Sequence, residues 1–314
     1  MLRFFANRVV HALITVWAIA TITFFLAYLA PGDPAQLRFE HSNSPALLAS
    51  WRHEHGLDLA PLPRYVRYID GLLHGDMGRP FASDAAPPVL QYLIQRFPNT
   101  ALLAACAIVV AFVFGVTSGI VAALKHNTWI DRLLMAMVLV GVSVPNFVLG
   151  PIAIAVFAMN LNWLPVAGWG APEYIVLPAL VLACRPAALI ARMTRASMLE
   201  TLQQDYIRAA RARGLPPWRI LGIHALKNAF LPVLTSAGVS LGYLLAGSFV
   251  VETVFHIPGV GEASFASIGQ RDYSMMQGTT VLLATIFVTI NLVIDLLYAA
   301  IDPRVRFGMQ ESAS

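Results

Sequence analysis

Thr100-Ala-Leu-Leu-Ala-Ala-Cys-Ala-Ile-Val-Val-Ala-Phe-Val-Phe-Gly-Val-Thr-Ser-Gly-Ile-Val-Ala-Ala-Leu124 contains no Asp, Glu, Lys or Arg. A helix that crosses the hydrocarbon of a bilayer needs about 20 predominantly apolar residues, and this stretch exceeds that length. Five further windows meet or approach it: Val9 to Leu29, Leu133 to Met159, Tyr174 to Ala191, Ala229 to Val251 and Gly278 to Ile301. Composition agrees, because 58% of the 314 residues are hydrophobic and 12% charged, against about 45–50% and about 25% in soluble domains. With a mean hydropathy of +0.67, lipid must serve as part of the solvent. Disordered, collagen-like and disulfide-stapled classes are excluded. Cys106 and Cys184 both fall inside apolar runs and read as small buried hydrophobes, so no redox or metal site follows.

The expected fold is therefore all-α and polytopic, with six transmembrane helices. Val9 to Leu29 is read as a retained span, since it is longer than a signal peptide's apolar stretch and lacks an A-x-A site. Arg3, Arg8, Lys125, Arg132, the cluster Arg192 to Lys227, Arg304 and Arg306 fall on one side of the spans. The opposing short segments, 160–173 and 252–277, hold only Arg271, so both termini are expected in the cytoplasm. The expected organisation is 1–30 as the N-terminal end and first span, 31–99 as an external segment, 100–301 as a five-helix core, and 302–314 as a cytoplasmic tail.

Two helix signals lie in the external segment. Ser44-Pro45 suits a helix start and Gly56 its exit. Leu62, Tyr65, Val66, Ile69, Leu72 and Leu73 then form one apolar stripe at helical spacing. The stripe fits a small lid on the membrane face or a docking platform for a partner.

Between the fourth and fifth windows, residues 197–228 read as a cytoplasmic helix pair. Ser197 and Glu200 match a capping box, which predicts a helix start there. Gly214 suits a left-handed exit, and Pro216 and Pro217 restart a second helix from Trp218. Tethering between two spans argues against a DNA-binding helix-turn-helix, so no nucleic acid is expected. The basic residues fit anionic lipid, whereas the helix–Gly–helix layout fits a lever inserted into a cytoplasmic partner.

This stretch resembles the EAA loop of ATP-binding-cassette importer permeases, in their oligopeptide and dipeptide branch. Arg208-Ala209-Ala210 stands where the family has Glu-Ala-Ala, Gly214 keeps the family glycine, and Leu231-Pro232 closes the motif. The likeness runs along the whole chain: Pro31-Gly-Asp-Pro34, His74-Gly-Asp-Met-Gly78, Met193-Thr-Arg-Ala-Ser-Met198, His224-Ala-Leu-Lys-Asn228, Glu252-Thr-Val-Phe-His-Ile-Pro-Gly-Val-Gly261, Arg271-Asp-Tyr273 and Asp302-Pro-Arg304.

The resemblance implies a B-type permease of type I fold in the bacterial inner membrane. It would form a heterodimer with a second, homologous permease, working with two ATPase subunits and an external binding protein. Di- or oligopeptides are the implied cargo, with haem or nickel complexes as alternatives. Asp205, Arg208, Ala209, Ala210, Gly214, Leu215 and Pro216 would form the ATPase-coupling loop. The chain has no G-x-x-x-x-G-K-[S/T] phosphate loop, so ATP and Mg would bind the partner subunits and this chain would carry no cofactor, metal or catalytic residue.

Within the windows, Arg185 costs about 2.5–3.5 kcal/mol at mid-membrane on translocon scales. It either lines the substrate path, attracting a carboxylate, or pairs with a neighbouring helix. Asn291 and Asp295 read as an intramembrane polar pair, for an ion or for a structural hydrogen bond. Gly115-x-x-x-Gly119 and Gly238-x-x-x-Gly242 are faces for close helix packing, and Pro145 and Pro151 invite kinks. A self-sufficient secondary transporter or channel is the competing class, and it leaves the cytoplasmic knob without a purpose.

Overall fold

The computed structural model describes residues 2–39, 44–81 and 85–301, and every regular element among them is helical. Four helices have the length and apolarity to cross a bilayer, at Phe5–Leu29, Val89–Leu124, Glu173–Leu202 and Tyr273–Ile294, and two bent helix pairs bring the count to six. The chain packs as two compact units, residues 1–99 with 258–314, and residues 100–257. The tail after residue 301, with Asp302-Pro-Arg304, lies outside the described residues.

In the first unit, α1 (Leu2–Leu29) packs along α13 (Tyr273–Ile301). Short helices α2 (Pro34–Arg38), α3 (Pro45–Glu54) and α4 (Pro61–Leu73) follow. Asp33 caps α2 by accepting from Ala35 N (2.9 Å) and also accepts from Arg52 Nε of α3 (2.9 Å). Ser44 caps α3 and Gly56 follows it at φ +65°, as the sequence predicts. Two distant motifs meet here: the Pro31 carbonyl accepts from Arg271 Nη1 (3.1 Å), and the Gly32 carbonyl from the Tyr273 hydroxyl (3.3 Å).

The stripe on α4 divides into two. Tyr65 packs on Phe24 of α1, joined there by Tyr68 from outside the stripe, and the Tyr65 hydroxyl lies 2.8 Å from that of Thr21. Leu62, Val66 and Leu73 remain exposed. The helix containing the opening quoted stretch, α5 (Val89–Leu124), begins eleven residues before the expected window and carries Pro98 inside it. The same unit is completed by α12 (Val260–Gly269), where Glu262 pairs with Arg96 (2.6 Å).

In the second unit the third window is not one kinked helix. It consists of α6 (Trp129–Ser143) and α7 (Asn146–Ala153), which continues as a π-helical stretch Ile154–Asn160, and the two arms meet at 108°. Pro145 forces the residue before it out of the helical region, and Val144 is accordingly extended at ψ 120°. Two such neighbours end the helix rather than bend it.

The core of this unit is α8 (Glu173–Leu202) against α11 (Lys227–Phe255) and α6. Gly115 and Gly119 of α5 lie on α8: a Cβ at Gly119 would stand 2.6 Å from the Ala191 carbonyl oxygen and 2.5 Å from Thr194 Cβ. The first small-residue face is thus a packing seam inside the bundle.

Candidate functional site: the helix pair 203–228 and the intramembrane arginine

The predicted start at Ser197 is wrong. α8 continues through Ser197 and Glu200 to Leu202, and Ser197 is buried in mid-helix. A capping box needs a non-helical first residue, but the helix arriving from Glu173 already supplies the carbonyls for this turn. The break falls at Gln203–Gln204, where Gln204 is extended at φ −68°, ψ 148°. There α9 (Asp205–Ala212) begins, with Asp205 in its first turn, where a carboxylate favours the helix dipole.

The exit from α9 follows the expected chemistry. Gly214 has φ +74°, its N–H bonds the Arg211 carbonyl (3.0 Å), and the Leu215 N–H bonds the Ala210 carbonyl (3.3 Å). These two bonds form a Schellman closure. From Pro217 the chain is helical again: α10 (Pro217–Arg219), a π-helical stretch Ile220–Leu226, then α11. The second arm of the pair therefore runs into the fifth span without a loop.

What holds the pair is apolar. Ile207 is fully buried and Ala210 nearly so, packed with Met198, Ile220, Ala225 and Ala229, and with Ala123 from the end of α5. Fully burying an Ile stabilises by about 1.5–3 kcal/mol. Asp205, Arg208 and Ala209, at positions i, i+3 and i+4, face outward instead, with the Asp205 side chain 96% exposed. Asp205 and Arg208 approach only to 3.4 Å, an exposed pair worth little stability.

Of the seven predicted coupling residues, the structure therefore gives three to an outer face (Asp205, Arg208 and Ala209). Ala210 belongs to the core beneath them, Gly214 to the turn, Leu215 to the packing around that core, and Pro216 to the exposed entry of the second arm.

Sequence reasoning missed two contacts. The Tyr206 hydroxyl accepts from Asn228 Nδ2 (2.7 Å), closing α9 onto the start of α11; the place of Asn228 in the motif His224-Ala-Leu-Lys-Asn228 was the available signal. Asp131, 4% exposed, accepts from Arg195 of α8 through Nε (2.7 Å) and Nη2 (2.8 Å), and from the Asn127 N–H (3.0 Å). Nothing in the local pattern around Asp131 announces a partner 64 residues away.

Arg185 lies on α8 with its guanidinium 4.5 Å from the Tyr243 ring of α11, and Nη1 donates to the Tyr243 hydroxyl (2.8 Å). The side chain nevertheless remains exposed on the isolated chain. Asn291 donates to the Phe287 carbonyl of its own helix (2.9 Å), a local bond. The side chain of Asp295 lies outside the described residues.

Comparison with known proteins agrees with this architecture. Residues 115–307 match the family model described as binding-protein-dependent transport system inner membrane component, and residues 1–105 its N-terminal companion. The chain is 38% identical to the glutathione transport system permease protein GsiC of Pectobacterium atrosepticum, over 98% of this chain and 100% of that protein. It is also 38% identical to the dipeptide transport system permease protein DppB of Bacillus subtilis, with 98% of each covered. An inward-facing structure of the MetNI methionine ABC transporter superposes with a TM-score of 0.59 at 22% identity, covering 69% of this chain and 99% of that one, which supports the fold. The chain belongs to the binding-protein-dependent transport family of inner-membrane components, as a permease subunit of an ATP-binding-cassette importer.

Proposed function

We propose that the chain forms half of a translocation path for di- or oligopeptides, pairing with a second homologous permease, two cytoplasmic ATPase subunits and an external binding protein. The observation that carries the cargo class is identity of 38% along almost the full length to permeases named for a dipeptide and for glutathione, itself a modified tripeptide. ATP and Mg are bound by the ATPase subunits, and both termini of this chain lie in the cytoplasm.

The outer face of α9, with Asp205, Arg208 and Ala209, is the surface the ATPase grips; Gly214, Leu215 and Pro216 set its angle to the fifth span. A stiff knob with a packed floor and a polar outer face suits such a handle. When ATP draws the ATPases together, the knob moves with them and the spans re-expose their central cavity.

Arg185 lines that cavity. An exposed guanidinium at mid-span is costly against lipid, and the Tyr243 hydroxyl occupies only one of its five donors. The remaining donors face water and the peptide carboxylate.

The test is co-purification of the chain with a second permease and ATPases, reconstituted in vesicles. Peptide-loaded binding protein is expected to stimulate ATP hydrolysis and peptide uptake. Uptake by this chain alone, without ATP, would refute the reading. Arg185→Ala is expected to lower uptake of peptides with a free C-terminal carboxylate more than that of their amides.

A further inference from the structure

The polar side of α4 opens onto a cavity of about 470 Å³, in the range of small-molecule sites. It is bounded by α3, α4, the segment 76–81, Phe24 of α1 and the first turns of α13. Arg64, Arg67 and Arg79 line it, and so do the carboxylates of Glu54, Asp70 and Asp76.

Two guanidiniums of this unit are matched by carboxylates, Arg52 by Asp33 and Arg96 by Glu262, and Arg67 and Arg79 on the cavity wall are exposed to water. Arg64 is neither. It is half-buried, its guanidinium stands 5.8 Å from the centre of the Tyr28 ring, and no carboxylate among the described residues lies within ion-pair distance of it. Burial draws its pKa below the ordinary arginine value, yet arginine stays protonated in water at neutral pH. The ring face stabilises the cation but leaves the in-plane N–H fork without an acceptor.

A partly desolvated, unmatched fork on a cavity wall fits a carboxylate from outside the chain, since the planar guanidinium receives one through two parallel bonds. Acceptors of the opposite sign line the same space, with Phe81 and Tyr273 as apolar wall. The ligand this suits carries both charges on a short frame.

We infer that the cavity is an external binding site for short zwitterionic peptides, with the peptide carboxylate on Arg64 and its ammonium group toward Glu54 and Asp76. It is distinct from the Arg185 region and rests on the peptide reading above for its ligand class. Peptide released at the outer surface is held here, which raises its local concentration beside the transporter.

The experiment uses the assembled transporter, purified without its binding protein, and radiolabelled alanyl-alanine in equilibrium binding. Saturable binding is expected, at least 10-fold weaker for Arg64→Gln and for the C-terminal amide of the probe, and partly restored by Arg64→Lys. Gln277→Glu, which adds a negative charge on the α13 wall, is expected to weaken binding too, and it carries the test if Arg64→Gln fails to assemble.

Absence of saturable binding, equal binding by Arg64→Gln, or equal binding of the amide overturns the proposal. So does binding of glycerophosphoethanolamine alone, which would mark a lipid headgroup seat. The same preparation is assayed for uptake with loaded binding protein: uptake without external binding overturns this site only, whereas loss of peptide uptake overturns the peptide reading itself.

Discussion

Gly119 and Gly214 show glycine used for two opposite reasons. At Gly119 the backbone conformation is ordinary and space is missing, because a Cβ would collide with Thr194 and the Ala191 carbonyl. At Gly214 nothing lies within 4 Å of where a Cβ would stand, but φ is +74°. The seam is a packing constraint and the turn a backbone constraint. Substitutions that separate bulk from conformation therefore act in opposite ways at the two sites.

The largest effect is expected for Gly119→Leu, which cannot fit between α5 and α8. We expect loss of the monodisperse folded permease on size-exclusion chromatography, and a normal profile would break the comparison at once. Next is Ile207→Ala beneath the knob, expected to cost about 2–5 kcal/mol, read as a fall in thermal midpoint of the detergent-solubilised complex.

Gly214→Val is expected to cost about 1–2 kcal/mol through left-handed backbone strain and to impair ATP-driven uptake. Gly214→Asn, which tolerates that region, should restore most of both, whereas Gly119→Asn should be no better than Gly119→Val. Arg208→Ala is the smallest in stability, within about 0.5 kcal/mol, and is expected to reduce coupling of ATP hydrolysis to uptake. Unchanged coupling would remove the outer face of α9 from the handle.

The same contrast explains what the sequence reveals. Gly214 is legible because its signal is local: a basic last turn, a glycine and two prolines in succession. The apolar windows are legible for the same reason, since composition alone carries them. Ser197 misleads because a capping box is a statement about where a helix begins, and the pattern cannot tell whether one is already under way. The 108° break at Val144–Pro145 shows the limit of reading a proline as a kink, as its effect depends on what the preceding residue does. Asp131 with Arg195, and Arg64 with its cavity, depend on chain crossings that no spacing encodes.

The floor beneath Ile207 draws on Ala123 and Ile120 of α5 as well as on the ends of α8 and α11. Because Gly115 and Gly119 bring the α5 and α8 backbones into direct contact, the two cannot slide past each other without collision. A torque applied at α9 is then shared by three rods bolted at one joint. If α9 is the handle proposed above, such a joint would carry its displacement into all three helices together.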